Sequence, residues 1–150
     1  MKNWLTLMLV IFTLSLGYTQ HRLDGLYEGT LTRGGIYSKE GLRFELLLEV
    51  KEGEVKGRSY LHLDDNQIIE MDIHGKLYND RSIYFEDIKF VNPVDSDLVP
   101  PFNRKYQLVF NRSIWDSTLE GYWQEIRREV FHEKRHRGRI FLKKVGGSKA

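Results

Sequence analysis

Residues 132–136 read His-Glu-Lys-Arg-His, the H-E-x-x-H spacing with which two imidazoles grip a zinc ion while the glutamate activates a metal-bound water. That chemistry needs an α-helix, because helical periodicity is what brings side chains four apart onto one face. It also needs a third protein ligand. Here the middle positions are Lys134 and Arg135, two cations beside a dication, and no histidine, aspartate or glutamate follows His136. The flanking residues alternate as strand, turn and strand rather than as helix. The spacing therefore assigns no catalytic residue and no cofactor. Zinc hydrolysis through His132, Glu133 and His136 is kept as a remote alternative, with His132 and His136 as the candidate metal ligands.

What the same stretch presents is charge. Arg127, Arg128, Lys134, Arg135, Arg137 and Arg139, with His132 and His136, stand against only Glu129 and Glu133. A basic hairpin at 127–139 suits an acidic macromolecule or a polyanionic glycan, and its histidines add charge as pH falls through the imidazole range. Binding of that kind weakens steeply with salt. Tyr37, Tyr60, Trp115 and Tyr122 are expected on the surface, where their faces can stack on sugars. Asn111-Arg112-Ser113 is a glycosylation sequon on an expected turn, relevant in a eukaryotic secretory pathway.

These groups must be positioned by strands, because apolar residues recur with period two and turn residues interrupt them at short intervals. In 42–50, Phe44, Leu46, Leu48 and Val50 share one face while Arg43, Glu45 and Glu49 share the other; Leu47 alone breaks the pattern. After Glu52-Gly53, the faces divide again between Val55, Gly57, Ser59, Leu61, Leu63 and Glu54, Lys56, Arg58, Tyr60, His62. A turn at Asp64-Asp65-Asn66 leads to a strand burying Ile69, Met71, Ile73 and Leu77. In 82–91 the alternation slips between Phe85 and Ile88, which places a β-bulge near Glu86 and Asp87. With 25–32, 104–111, 117–126 and 137–145, eight strands are expected. Their connections have the short lengths that join antiparallel neighbours.

An eight-stranded antiparallel meander with one apolar face closes most readily into an up-and-down barrel, because closure removes both exposed edges. A β-sandwich is the competing arrangement. Glycines inside the strand patterns, at Gly29, Gly57, Gly75, Gly121 and Gly138, suit the sharp bends of a small barrel. With its opening Gly25-Leu26-Tyr27-Glu28-Gly29, its later Gly121-Tyr122-Trp123 and its closing Gly138-Arg139-Ile140-Phe141-Leu142, the chain resembles the lipocalin-like group of small secreted β-barrels, of calycin type. Tyr27 stands where lipocalins place a tryptophan. The resemblance implies a barrel closed at one end, with a small apolar ligand as cargo, and carries over no catalytic residue.

Eight strands enclose a space that either fills with side chains or holds one small molecule. Phe44, Leu46, Leu48, Ser59, Met71, Ile73, Leu108, Phe110 and Trp123 are the residues expected to line it. Bulky members favour a filled interior, whereas Gly57, Ser59, Gly75 and Gly121 leave room, so both outcomes stand. The longest connection, 92–103, holds Pro93, Pro100 and Pro101 and reads as a semi-rigid loop at the barrel mouth.

Residues 1–19 read as a cleavable signal peptide: Lys2, then an uncharged apolar run over 4–16 that is too short to span a bilayer, then small residues at Ser15, Gly17 and Thr19. Residues 20–150 are then one domain, placed in a periplasm or outside the cell and without a membrane span. The chain of 150 residues carries a formal net charge of +2, and losing Lys2 leaves it nearer neutrality, so it has no overall signature of nucleic-acid binding. It has no cysteine, which excludes disulfides and thiolate metal sites. Packing and hydrogen bonds must supply the stability.

Overall fold

The computed structural model describes residues 22–34, 37–64, 67–91, 103–113, 115–126 and 136–146. The expected signal segment 1–19 and the loop 92–102 lie outside them. Eight strands run in chain order: β1 (Gly25–Thr32), β2 (Gly41–Lys51), β3 (Glu54–Asp64), β4 (Gln67–Leu77), β5 (Ser82–Phe90), β6 (Asn103–Arg112), β7 (Ser117–Ile126) and β8 (Arg137–Lys144). Each pairs antiparallel with its neighbour, and β1 also pairs with β8 from Tyr27↔Lys144 to Leu31↔Ile140. That last ladder closes the sheet into an up-and-down barrel and rules out the sandwich. No helix occurs among the described residues.

The two ends of the barrel differ. At one end the connections are tight. Glu52 and Gly53 both take positive φ, 54° and 81°, the two-residue hairpin whose twist matches that of the strands it joins. At the next turn the Tyr78 amide donates to the Ser82 carbonyl at 2.8 Å, while Asp80 Oδ1 accepts from both the amide and the hydroxyl of Ser82. The incoming chain seals this end: Leu23 is buried, the Tyr27 hydroxyl donates to its carbonyl at 2.9 Å, and the Val50 amide donates to Asp24 Oδ1 at 2.7 Å. Tyr27, fully buried, has the Lys144 ammonium 5.8 Å from its ring centre. The opposite, long-loop end is bounded by the strand ends Thr32, Gly41, Phe90, Asn103, Ile126 and Arg137.

All nine residues expected to face inward are buried. At mid-height the Tyr106 ring of β6 stacks on Phe85 at 4.6 Å and meets Phe44 at 5.8 Å. Phe44 sits on β2, which is not a sheet neighbour of β6, so side chains bridge the interior at this level. Burying each such side chain contributes roughly 1.5–3 kcal/mol. Leu47, the residue that breaks the alternation of β2, is exposed.

Gly138 shows why a strand interior needs glycine here. The indole of Trp123, on β7, reaches across β8 and donates from Nε1 to the Thr32 carbonyl on β1 at 2.8 Å. A Cβ at Gly138 would collide with that same carbonyl and with the indole nitrogen. The bulge of β5 falls beside Asp87, as expected. Asp72 pairs with Lys89 and Ile73 with Asp87, so the extra residue is Ile88, one beyond Asp87, and Ile88 is turned outward. Asp87 consequently keeps the inward parity of Ile83 and Phe85. Hydrogen bonds inside the barrel make that orientation tolerable.

Candidate functional site

Asp87 faces three partners. Its Oδ2 accepts from Arg104 Nε at 2.8 Å and from the Tyr106 hydroxyl at 3.1 Å, and its Oδ1 accepts from Ser59 Oγ at 3.1 Å. The ion pair is almost wholly enclosed, with side-chain exposures of 4% for Arg104 and 1% for Asp87. Arg104 in turn lies opposite Glu125, a fully buried carboxylate on β7 that accepts from the His136 amide at 3.1 Å. Burial pushes the Tyr106 phenol well above its ordinary pKa. Burial also opposes the charge of Arg104, but Tyr106, Asp87 and Glu125 outweigh it and raise the pKa. One guanidinium nitrogen of Arg104, Nη2, is buried without a hydrogen-bond partner. This row lies between the aromatic layer and the long-loop end.

The outer face of the same wall carries a second arrangement. Register places Tyr84, Gln107, Tyr122 and Arg139 side by side on β5, β6, β7 and β8, with Glu86, Lys105, Gln124 and Arg137 in the adjacent row. Alternation keeps both rows on one face, because residues two apart point the same way. Tyr84 is 37% exposed and Tyr122 58%. Burial, then the nearby Glu86, raises the Tyr84 phenol's pKa. A cleft of about 610 Å³ opens over these residues, bounded by Gly34 and Gly138. A second, of about 540 Å³, shares Tyr84 and Gln107 and runs on to Tyr78 and the Asn79-Asp80 turn.

Three cations line the first cleft and no carboxylate does. On β2 to β4, Arg43 pairs with Glu45 at 2.8 Å, Lys56 with Glu54 at 3.0 Å, and Arg58 with Glu70 at 2.8 Å and Asp72 at 3.3 Å. Lys105, Arg137 and Arg139 form no ion pair with any carboxylate among the described residues. Three charged heads therefore face an open cleft.

Of the expected basic patch, Arg137 and Arg139 are placed in this cleft; Arg127, Arg128, Lys134 and Arg135 lie outside the described residues. So do His132 and Glu133 of the metal motif. His136 is described, and its Nε2 stands 3.9 Å from Glu125 Oε1. Among the four aromatics expected to meet sugars, Tyr122 lines the cleft, whereas Tyr37 and Trp115 stand exposed elsewhere and Tyr60 lies on β3. Sequence reasoning missed Asp87, Arg104 and Glu125 as inward residues, and Tyr84 and Gln107 as partners of Tyr122. For Arg104 and Glu125 the signal was present: they share parity with Tyr106 and Leu108, and with Leu119 and Trp123.

Comparisons with protein-family models, with curated proteins and with solved structures find no match for this chain. The barrel itself prescribes no activity, since one fold hosts many functions, so function has to be argued from the site.

Proposed function

We propose that the chain is an exported binding protein whose working surface is the outer wall of β5 to β8, and that it holds a polyanionic partner there. The observation that carries this reading is that Lys105, Arg137 and Arg139, none of them in an ion pair among the described residues, line one cleft of about 610 Å³ whose lining contains no carboxylate. Cations without partners keep their full attraction for an incoming anion. The basic residues at 127, 128, 134 and 135 flank the same strand ends in the chain and extend the charge. Retention on immobilised polyanions at low salt tests the reading. Elution should come early at physiological salt, and Arg137→Gln with Arg139→Gln should elute at clearly lower salt than the parent. A chain that passes unretained over every polyanion, or whose retention ignores salt, would overturn it.

The Arg104 nitrogen favours a second reading, in which a small, mainly apolar ligand enters the long-loop end of the barrel and sets a hydrogen-bond acceptor on Nη2. This reading keeps the cargo implied by the lipocalin-like resemblance but confines it above the Phe44–Tyr106 layer. Native mass spectrometry of the chain purified from its own host, read against Arg104→Met, checks it. A ligand lost in that variant supports the reading, and a ligand-free protein counts against it.

A further inference from the structure

We infer that the polyanion held by the outer wall is an acidic polysaccharide, lying across the strands with about one sugar ring per strand and its uronate carboxylate at Arg139. The inference rests on the polyanion reading above and names its occupant. It starts from spacing. Neighbouring strands lie roughly 4.8 Å apart, close to the rise of one pyranose ring in an extended glycan. The row Tyr84, Gln107, Tyr122, Arg139 advances one strand per residue. Its two tyrosines, one strand between them, therefore stand at the interval of alternate sugars.

The chemistry of each position follows that interval. Half-exposed Tyr84 and Tyr122 offer phenol rings for the apolar faces of sugars. Gln107, between them, offers an amide that both donates and accepts, which suits hydroxyl groups. Arg139 and Arg137, at the β8 end, are planar forks suited to a carboxylate. Glu86 and Glu120 flank the tyrosines, Glu120 accepting from the Thr118 hydroxyl at 3.2 Å. These carboxylates can accept from the hydroxyls of a sugar, donors that a phosphodiester linkage does not carry. The first cleft spans β5 to β8, the direction of the row, and the second, which shares Tyr84 and Gln107 with it, turns along β5 to Tyr78.

The test is calorimetric titration of the chain with four probes: an oligouronate, a neutral oligosaccharide of the same linkage and length, poly-glutamate and oligothymidylate. The oligouronate should bind most tightly. Tyr84→Ala and Tyr122→Ala should each weaken it roughly tenfold, while Phe at either position keeps most of the affinity. Arg139→Gln should narrow the gap between acidic and neutral sugars. Tyr60→Ala, on the opposite wall, should change nothing. Thermal melts confirm that the variants stay folded; their side chains are exposed enough for that. Equal binding of acidic and neutral sugars, or tyrosine variants that bind normally, would overturn the inference. If poly-glutamate or oligothymidylate binds through Arg137 and Arg139 while the sugars do not, the polysaccharide is wrong and the polyanion reading stands. If no polyanion binds, both fall.

Discussion

The wall formed by β2, β3 and β4 and the wall formed by β5 to β8 are built from the same alternating pattern, yet they distribute charge differently. On β2 to β4 the interior is apolar except for Ser59, and the outside neutralises itself through pairs such as Arg43–Glu45, Arg58–Glu70 and the His74–Glu54 contact at 2.8 Å. On β5 to β8 charge appears on both faces. Inside are Asp87, Arg104 and Glu125; outside are Lys105, Arg137 and Arg139 beside an open cleft. Cross-strand pairing of opposite charges is the ordinary way to make a solvated sheet face stable. The second wall gathers Lys105, Arg137 and Arg139 at one cleft without a carboxylate in its lining, and the proposed polyanion site rests on that difference.

The largest effect should come from the inside of the second wall. Arg104→Leu leaves Asp87 buried and uncompensated and should cost about 3–5 kcal/mol in chemical denaturation, with Asp87→Leu added to it recovering much of the loss. A small cost would mean that water already reaches the pair, and the contrast between interiors would dissolve. On the outside, Arg137→Gln with Arg139→Gln should weaken polyanion binding by roughly tenfold, equivalent to about 1.4 kcal/mol, while leaving stability within about 0.5 kcal/mol. Arg58→Gln on the first wall should do the reverse, lowering the melting temperature only slightly at a pair already screened by water and leaving binding untouched. If the two walls respond alike, their difference in pairing has no functional meaning.

Smaller effects sharpen the same contrast. Arg81, in the turn that enters β5, holds φ at 67°, a conformation that favours glycine, so Arg81→Gly should raise stability by roughly 0.5 kcal/mol. On the first wall the hydrogen bond from His74, then Lys56, holds the Glu54 carboxyl below its ordinary value of 4.5. A carboxyl depressed on folding contributes stability that is present above the ordinary value and lost as pH falls through the folded one. Glu54→Gln should therefore melt slightly lower than the parent at neutral pH and converge with it as pH falls below 4.5, so that its acid limb is flatter.

The order, direction and faces of the eight strands were legible in the residues because period two is a local property. A strand with Phe44, Leu46, Leu48 and Val50 on one side has only one side to bury. Closure was legible too, since a meander of short connections leaves two edges that must meet or be covered. The charged interior was not. Alternation placed Arg104 and Glu125 inward, but the cost of burying a charge argues against that parity unless a partner waits inside. The partner of Arg104 is Asp87, seventeen residues back, and its inward turn depended on the bulge falling at Ile88 and not before it.

The outer groove divides in the same way. Arg137, Arg139 and Tyr122 stood out by type alone, but nothing local says that Tyr84 lies two strands from Tyr122 with Gln107 between them. Nor does it say that Lys105, Arg137 and Arg139 meet at one cleft while Arg43, Lys56 and Arg58 find carboxylates. The sequence by itself determined a closed antiparallel sheet, because burial parity and turn chemistry act between near neighbours. Only the tertiary structure decided which charges meet, because cross-strand register joins residues far apart in the chain and a shift of one residue would exchange the inside for the outside.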